Sequence, residues 1–191
     1  GLHGIYPPTL SLAVACGSRT HCPFLDVTIL VSAGPVRRRA LSTHLYDKRR
    51  TPQFAGVFLA GYPHASANLS TACKLGVVTA QFHRMRRRIT EPDTFTFEMA
   101  RVLVLHADRD FRPSAVVARV THLLDTTGCY AHLERDRLLG GIAAHAARLA
   151  PQLIHDPSTA GYVADYYNGI ATRFQEATYR NRLGSRLQRM A

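Results

Sequence analysis

Residues 82–89, FHRMRRRI, place Arg84, Arg86, Arg87 and Arg88 around little more than one turn of an expected helix, beside His83. Guanidinium groups are planar, permanently charged and forked, so the chemistry they offer is hydrogen bonding to phosphate oxygens. Two further basic groups share this character. Arg37, Arg38 and Arg39, with Lys48, Arg49 and Arg50, flank a candidate strand, and Arg173, Arg180, Arg182, Arg186 and Arg189 line the last part of the chain. Many shallow cationic contacts of this kind hold a polyanion by releasing its counterions. The competing reading is a solvated helix face. Such faces mix charge signs, whereas residues 82–90 contain no acid, and the basic footprint favours phosphate contact.

The whole chain carries a formal charge of +11 from 24 basic and 13 acidic residues, with a pI near 10.2. A partner rich in negative charge follows, and nucleic acid is the first candidate. Only Lys48 and Lys74 are lysines. That skew fits forked phosphate binding and fits a GC-rich coding sequence equally well. Aromatic residues adjoin several basic positions: Tyr46 before Asp47-Lys48, Tyr62 before Pro63-His64, and Tyr179 before Arg180. Rings so placed can stack on bases or sugars. Phe82 is assigned to the core instead, because Val78, Phe82, Met85 and Ile89 share one helical face.

Catalytic constellations are poor. Asp108 and Asp110 could offer paired carboxylates to a divalent ion, but they fall where a helix should end, and a capped loop explains them better. Cys16, His21 and Cys22 lack the fourth ligand of a structural zinc site, and nothing marks a nucleophile elbow. Asn68-Leu69-Ser70 matches a glycosylation acceptor only as a three-residue pattern. No cofactor or metal is expected. Cysteines 16, 22, 73 and 129 show no disulfide spacing, which suggests a reducing compartment. The apolar runs are too short to span a bilayer, so no membrane partner is expected. Residue 1 is glycine, and a preceding segment is anticipated.

Hydrophobic periodicity predicts an α+β fold in a chain of 191 residues with 46% hydrophobic content, enough for a core of its own. Stretches 9–15, 24–31 and 40–47 alternate like strands and suggest a small antiparallel sheet of three. Helical periods follow. A short helix capped by Ser66 or Ser70 should reach Lys74, and another should run from Val77 to Ile89. A third should start at Thr94 and a fourth at Pro113, the latter closed by Gly128. A fifth should cover Glu134–Ala150 and stop at Pro151. After Pro157 an apolar face of Val163, Tyr166, Tyr167, Ile170, Phe174 and Ala177 leads into a basic helix or arm. The expected organisation is a β-rich unit over 1–62, a helical unit over 63–155 and a basic helical extension over 156–191.

The order IYPPTLSL, PFLDVTI, LSTHLYDKR and YPHASANLSTACKLGVVTAQFHRMRRR resembles the C-terminal part of reverse transcriptases of non-LTR and Penelope-like retroelements. The family's FLD-x-x-I strand, Y-x-K element, YPH turn and S-x-x-x-R helix correspond here to Phe24-Leu25-Asp26, Tyr46-Asp47-Lys48, Tyr62-Pro63-His64 and Thr79-Ala80-Gln81 leading to Arg84. The likeness covers about residues 4–125 and implies a palm edge followed by a helical thumb. In that family an aspartate pair in a Y-x-D-D strand holds two catalytic metal ions. This chain contains no Asp-Asp dipeptide, and Asp26 and Asp47 match non-catalytic positions. The resemblance implies a non-catalytic RNA-binding protein acting as a structural part of a ribonucleoprotein, an organellar ribosome among the settings. Its alternative is the C-terminal part of an active reverse transcriptase gripping a template–primer duplex. A module whose arginines meet acidic protein surfaces is a third reading.

Overall fold

Ser70 sets the first helix boundary: its Oγ accepts the Cys73 N–H at 3.2 Å, and helix α1 runs from Thr71 to Arg88. Val78, Phe82, Met85 and Ile89 are all buried, as their spacing predicts. The expected break between Lys74 and Val77 does not occur. One glycine inside a helix costs only about 1 kcal/mol, and the apolar face that starts at the half-buried Leu75 outweighs it at Gly76.

The computed structural model describes residues 18, 20–24, 27–31, 41–47, 52, 62–128, 130 and 135–188, with helix side chains through residue 177. Helix α2, Pro92–Ala107, begins two residues before the expected Thr94 because Pro92 suits the first turn, where its missing N–H is no loss. Helix α3 spans Pro113–Thr127 and ends at Gly128, whose φ of 58° is the left-handed cap the sequence suggests. Helix α4 covers Arg135–Leu153 and passes through Pro151, where the sequence predicts a stop. Pro151 lies in the last turn, so its ring removes one hydrogen bond near an end that frays anyway. Asp156 then caps helix α5, Pro157–Gln188, by accepting the Thr159 N–H at 2.7 Å.

Helix α2 is the centre of the core, burying Phe95, Met99, Val102, Leu103, Val104 and His106. It packs against α1 and α4, and α4 packs against α5. Gly140 permits that last approach: a Cβ there would lie 3.1 Å from the Phe174 Cβ. Phe82 meets Phe95 edge-on at 5.6 Å, and Phe95 meets Tyr130 at 5.2 Å.

The sheet is three-stranded and antiparallel, in the order β1 (His21–Phe24), β2 (Val27–Val31), β3 (Leu41–Leu45). With five helices following it, the described fold is α+β, as expected. The strand expected at 24–31 is found as β2 from Val27, whereas β1, His21–Phe24, occupies a stretch that reads in sequence as the turn between strands; Phe24 pairs with Val27. Pro23 reads as a turn residue in sequence, and the strand accommodates it because β1 lies at the edge of the described sheet. The strand expected at 9–15 lies outside the described residues. Strand β3 ties the sheet to the helices: Thr43 N–H donates to Thr90 Oγ1 at 3.0 Å and Thr90 N–H to Thr43 O at 3.1 Å.

Candidate nucleic-acid interface

The anchoring of α1 determines where its arginines point. With the Val78, Phe82, Met85 and Ile89 face inward, the advance of roughly 100° per residue spreads His83, Arg84, Arg86, Arg87 and Arg88 over the remaining circumference. Arg86 and Arg87 are exposed; His83, Arg84 and Arg88 are half-buried. Arg87 lies nearly opposite the buried face. Neither Arg86 nor Arg87 forms an ion pair among the described residues. Arg86, Arg87 and Arg88 also occupy the last turn, where cations oppose the helix dipole favourably. That accounts for a basic residue or two but not for an arc of four. Helix α3 adds a further cation beside this helix, since Arg119 Nε–H donates to Thr79 Oγ1 at 2.9 Å.

The other expected contacts are less fully placed. Arg37, Arg38, Arg39, Lys48, Arg49, Arg50 and Arg189 lie outside the described residues. Arg180, Arg182 and Arg186 belong to α5, which is helical through Gln188. The Thr43–Thr90 link sets the middle of β3 beside the C-terminal end of α1, close to the arginine turn.

Tyr62-Pro63-His64 is packed as structure. The Tyr62 ring lies 4.4 Å from the buried His106 ring, and Ala65 N–H donates to Arg109 O at 2.8 Å. His64 Nε2 is 2.9 Å from Asp110 Oδ2, and its Nδ1 accepts the Ser66 N–H at 3.3 Å. Lys74 Nζ donates to Ala65 O. The turn is thus held on the corner between α2 and α3. Asp108 and Asp110 border a cleft of about 270 Å³ with His64, His155, Asp156 and Thr159. Both carboxylates already have histidine partners there. Among the described residues no group of three or more His, Cys, Asp or Glu could hold a metal ion. Cys16 is outside the described residues, which leaves His21 and Cys22 on β1.

Burial tunes several groups. It pushes the His106 imidazole down from its ordinary value, against a raising contribution from the hydrogen bond of Nδ1 with Val102 O at 2.7 Å. His145 is also pushed down, first by burial and then by Arg148. Burial raises the Tyr167 hydroxyl strongly, and that hydroxyl has no hydrogen-bond partner among the described residues. Tyr166 is raised by burial while Arg173 opposes the shift. Sequence reasoning sets Tyr166 in the apolar face, where it packs half-buried against the core, and passes over Tyr162, which is 62% exposed. The signal is present in the spacing of Tyr162, Tyr166 and Arg173 along one line of α5.

Comparison with protein-family models, with curated proteins and with solved structures gave no match to this chain. The reading of the surface therefore rests on its own geometry. Among the described residues no helix is long and apolar enough to cross a membrane.

Proposed function

We propose that the chain is a non-catalytic RNA-binding protein that grips the nucleic-acid backbone through the arginine arc at the end of α1. It serves as a structural component of a ribonucleoprotein, and an organellar ribosome is a setting that suits its charge. The observation that carries this reading is the exposure of Arg86 and Arg87, neither in an ion pair among the described residues, on a helix whose Val78, Phe82, Met85 and Ile89 face is locked into the core. Guanidinium groups so held meet phosphates by shape and charge without reading sequence.

The test is affinity for a structured RNA measured across salt concentrations. Backbone binding gives a linear fall of log affinity with log salt, steeper by about 0.7–0.9 for each phosphate neutralised. An affinity indifferent to salt would overturn the proposal in favour of an apolar protein contact. The order of the Phe24, Tyr46, Tyr62 and Thr79 motifs favours a second reading, in which the same arc holds the template–primer duplex of a reverse transcriptase. A Y-x-D-D strand in the coding sequence ahead of Gly1 would decide for it.

A further inference from the structure

Helix α5 turns a second kind of surface outward. Its inner face buries Ala160, Val163, Tyr167, Ile170 and Ala171. Tyr162, Tyr166, Gly169 and Arg173 are spaced by four, three and four residues, so they form one narrow line away from that face. Tyr162 is 62% exposed, which leaves its ring open to solvent and to a stacking partner. Tyr166 is half-buried, its ring edge-on at 5.4 Å to the fully buried Tyr167, which steadies it. Beyond it the line is open: a Cβ at Gly169 would meet nothing within 4 Å. Arg173 closes the line, its Nε–H donating to Gly169 O at 3.2 Å, which lays the guanidinium back along the helix toward the tyrosines.

We propose that this line binds an unpaired RNA strand, with bases stacking on Tyr162 and Tyr166 over the Gly169 notch and a phosphate meeting Arg173. Aromatic faces accept any base, and an adjacent guanidinium supplies the charge that a stacked strand needs. Charge complementarity selects this occupant, because the chain carries +11 overall and α5 continues into Arg180, Arg182 and Arg186. Asp165, three residues from Tyr162, flanks the tyrosine part of the line and directs phosphate contact toward Arg173, while Glu176 lies one turn beyond Arg173. The inference deepens the RNA-binding reading and rests on it for the class of ligand. It differs in assigning unpaired strands to α5 and backbone gripping to α1.

The experiment compares binding of an unpaired oligouridylate of about ten nucleotides and an RNA duplex of about sixteen base pairs. The proteins are the full chain, Tyr162→Ala, Tyr162→Phe and the double variant Arg86→Gln/Arg87→Gln. Tyr162→Ala is expected to weaken oligouridylate binding about tenfold while duplex binding stays within twofold, and Tyr162→Phe to keep both. Tyr162 is exposed, so Tyr162→Ala should keep the fold, and an unchanged circular dichroism spectrum is the check on that. Unchanged oligouridylate affinity in Tyr162→Ala, or no oligouridylate binding by the full chain, overturns the inference. Duplex binding indifferent to the arginine double variant, with the tyrosine effect intact, would sink the α1 proposal and leave this one standing.

Discussion

Asp108 Oδ1 accepts the backbone N–H of His155 at 3.0 Å and so joins the end of α2 to the corner between α4 and α5. The His155 ring Nδ1 also lies 3.0 and 3.1 Å from the two carboxylate oxygens, but that side chain is 89% exposed. The two interactions therefore differ in worth. A solvated ion pair contributes from nothing to about 1 kcal/mol, whereas a hydrogen bond from a backbone N–H to a charged carboxylate that is itself largely buried contributes about 1.5–3 kcal/mol. Asp108→Ala should lower the urea midpoint by the larger amount, and His155→Ala, which retains the backbone N–H, by the smaller. Equal midpoints for the two variants would show that the corner is held by something else.

Within the arginine arc the four residues should not contribute equally. Arg86 and Arg87 are exposed, while Arg84 and Arg88 are half-buried and already engaged within the fold. Arg86→Gln/Arg87→Gln should weaken binding to different RNA sequences alike and reduce the salt slope by about 1 for each phosphate left without its arginine. The same change at Arg84 and Arg88 should act on the unfolding midpoint as well as on binding. Filter binding at several salt concentrations, paired with thermal melts, separates the two. A preference for one RNA sequence that disappears with Arg86 and Arg87 would contradict backbone gripping.

His106 gives the fold an acid sensitivity whose sign is fixed by burial. Its ring is fully buried, Nε2 has no partner among the described residues, and its affinity for a proton is pushed below the ordinary value of 6.5. The unfolded chain therefore binds this proton more readily than the folded one. Stability from the neutral ring is complete above pH 6.5 and falls as the pH drops below it, by at most about 1.4 kcal/mol per unit, until the folded form also protonates. His145, shifted the same way, adds to the trend. Urea titrations between pH 7.5 and about 5 should show the loss, and His106→Leu should flatten it. An identical slope in His106→Leu would assign the acid sensitivity elsewhere.

Much of the helical fold was legible because it depends on local period. Val78, Phe82, Met85 and Ile89 identify a buried face from spacing alone, and Gly128 identifies a cap. The arginine arc was legible for the same reason, since its members are contiguous in sequence. What stayed hidden is non-local. His64 finds Asp110 and Asp108 finds His155 across more than forty residues, with no periodic signal to announce either pair. Tyr166 and Tyr167 illustrate a subtler limit. They are adjacent aromatics on one helix, and only the packing of α5 against α4 decides which ring is fully buried and which stays half-buried at the edge of the core.

Gly76 offers a direct test of why α1 is one helix. The sequence places a glycine where two helices could have met, yet α1 is continuous from Thr71 to Arg88. If apolar burial on either side holds the turn helical against the glycine's backbone freedom, then removing that freedom should add stability. A Cβ at Gly76 would meet nothing within 4 Å, and its backbone is already helical, so Gly76→Ala introduces no strain. Alanine in a helix interior is favoured over glycine by about 0.5–1 kcal/mol, chiefly through the unfolded chain's lost entropy. The urea midpoint of Gly76→Ala should rise accordingly with an unchanged slope. A fall in the midpoint would mean that the residue serves as a joint between two separate helical segments, and that the rigid link between the buried face and the arginine arc does not exist.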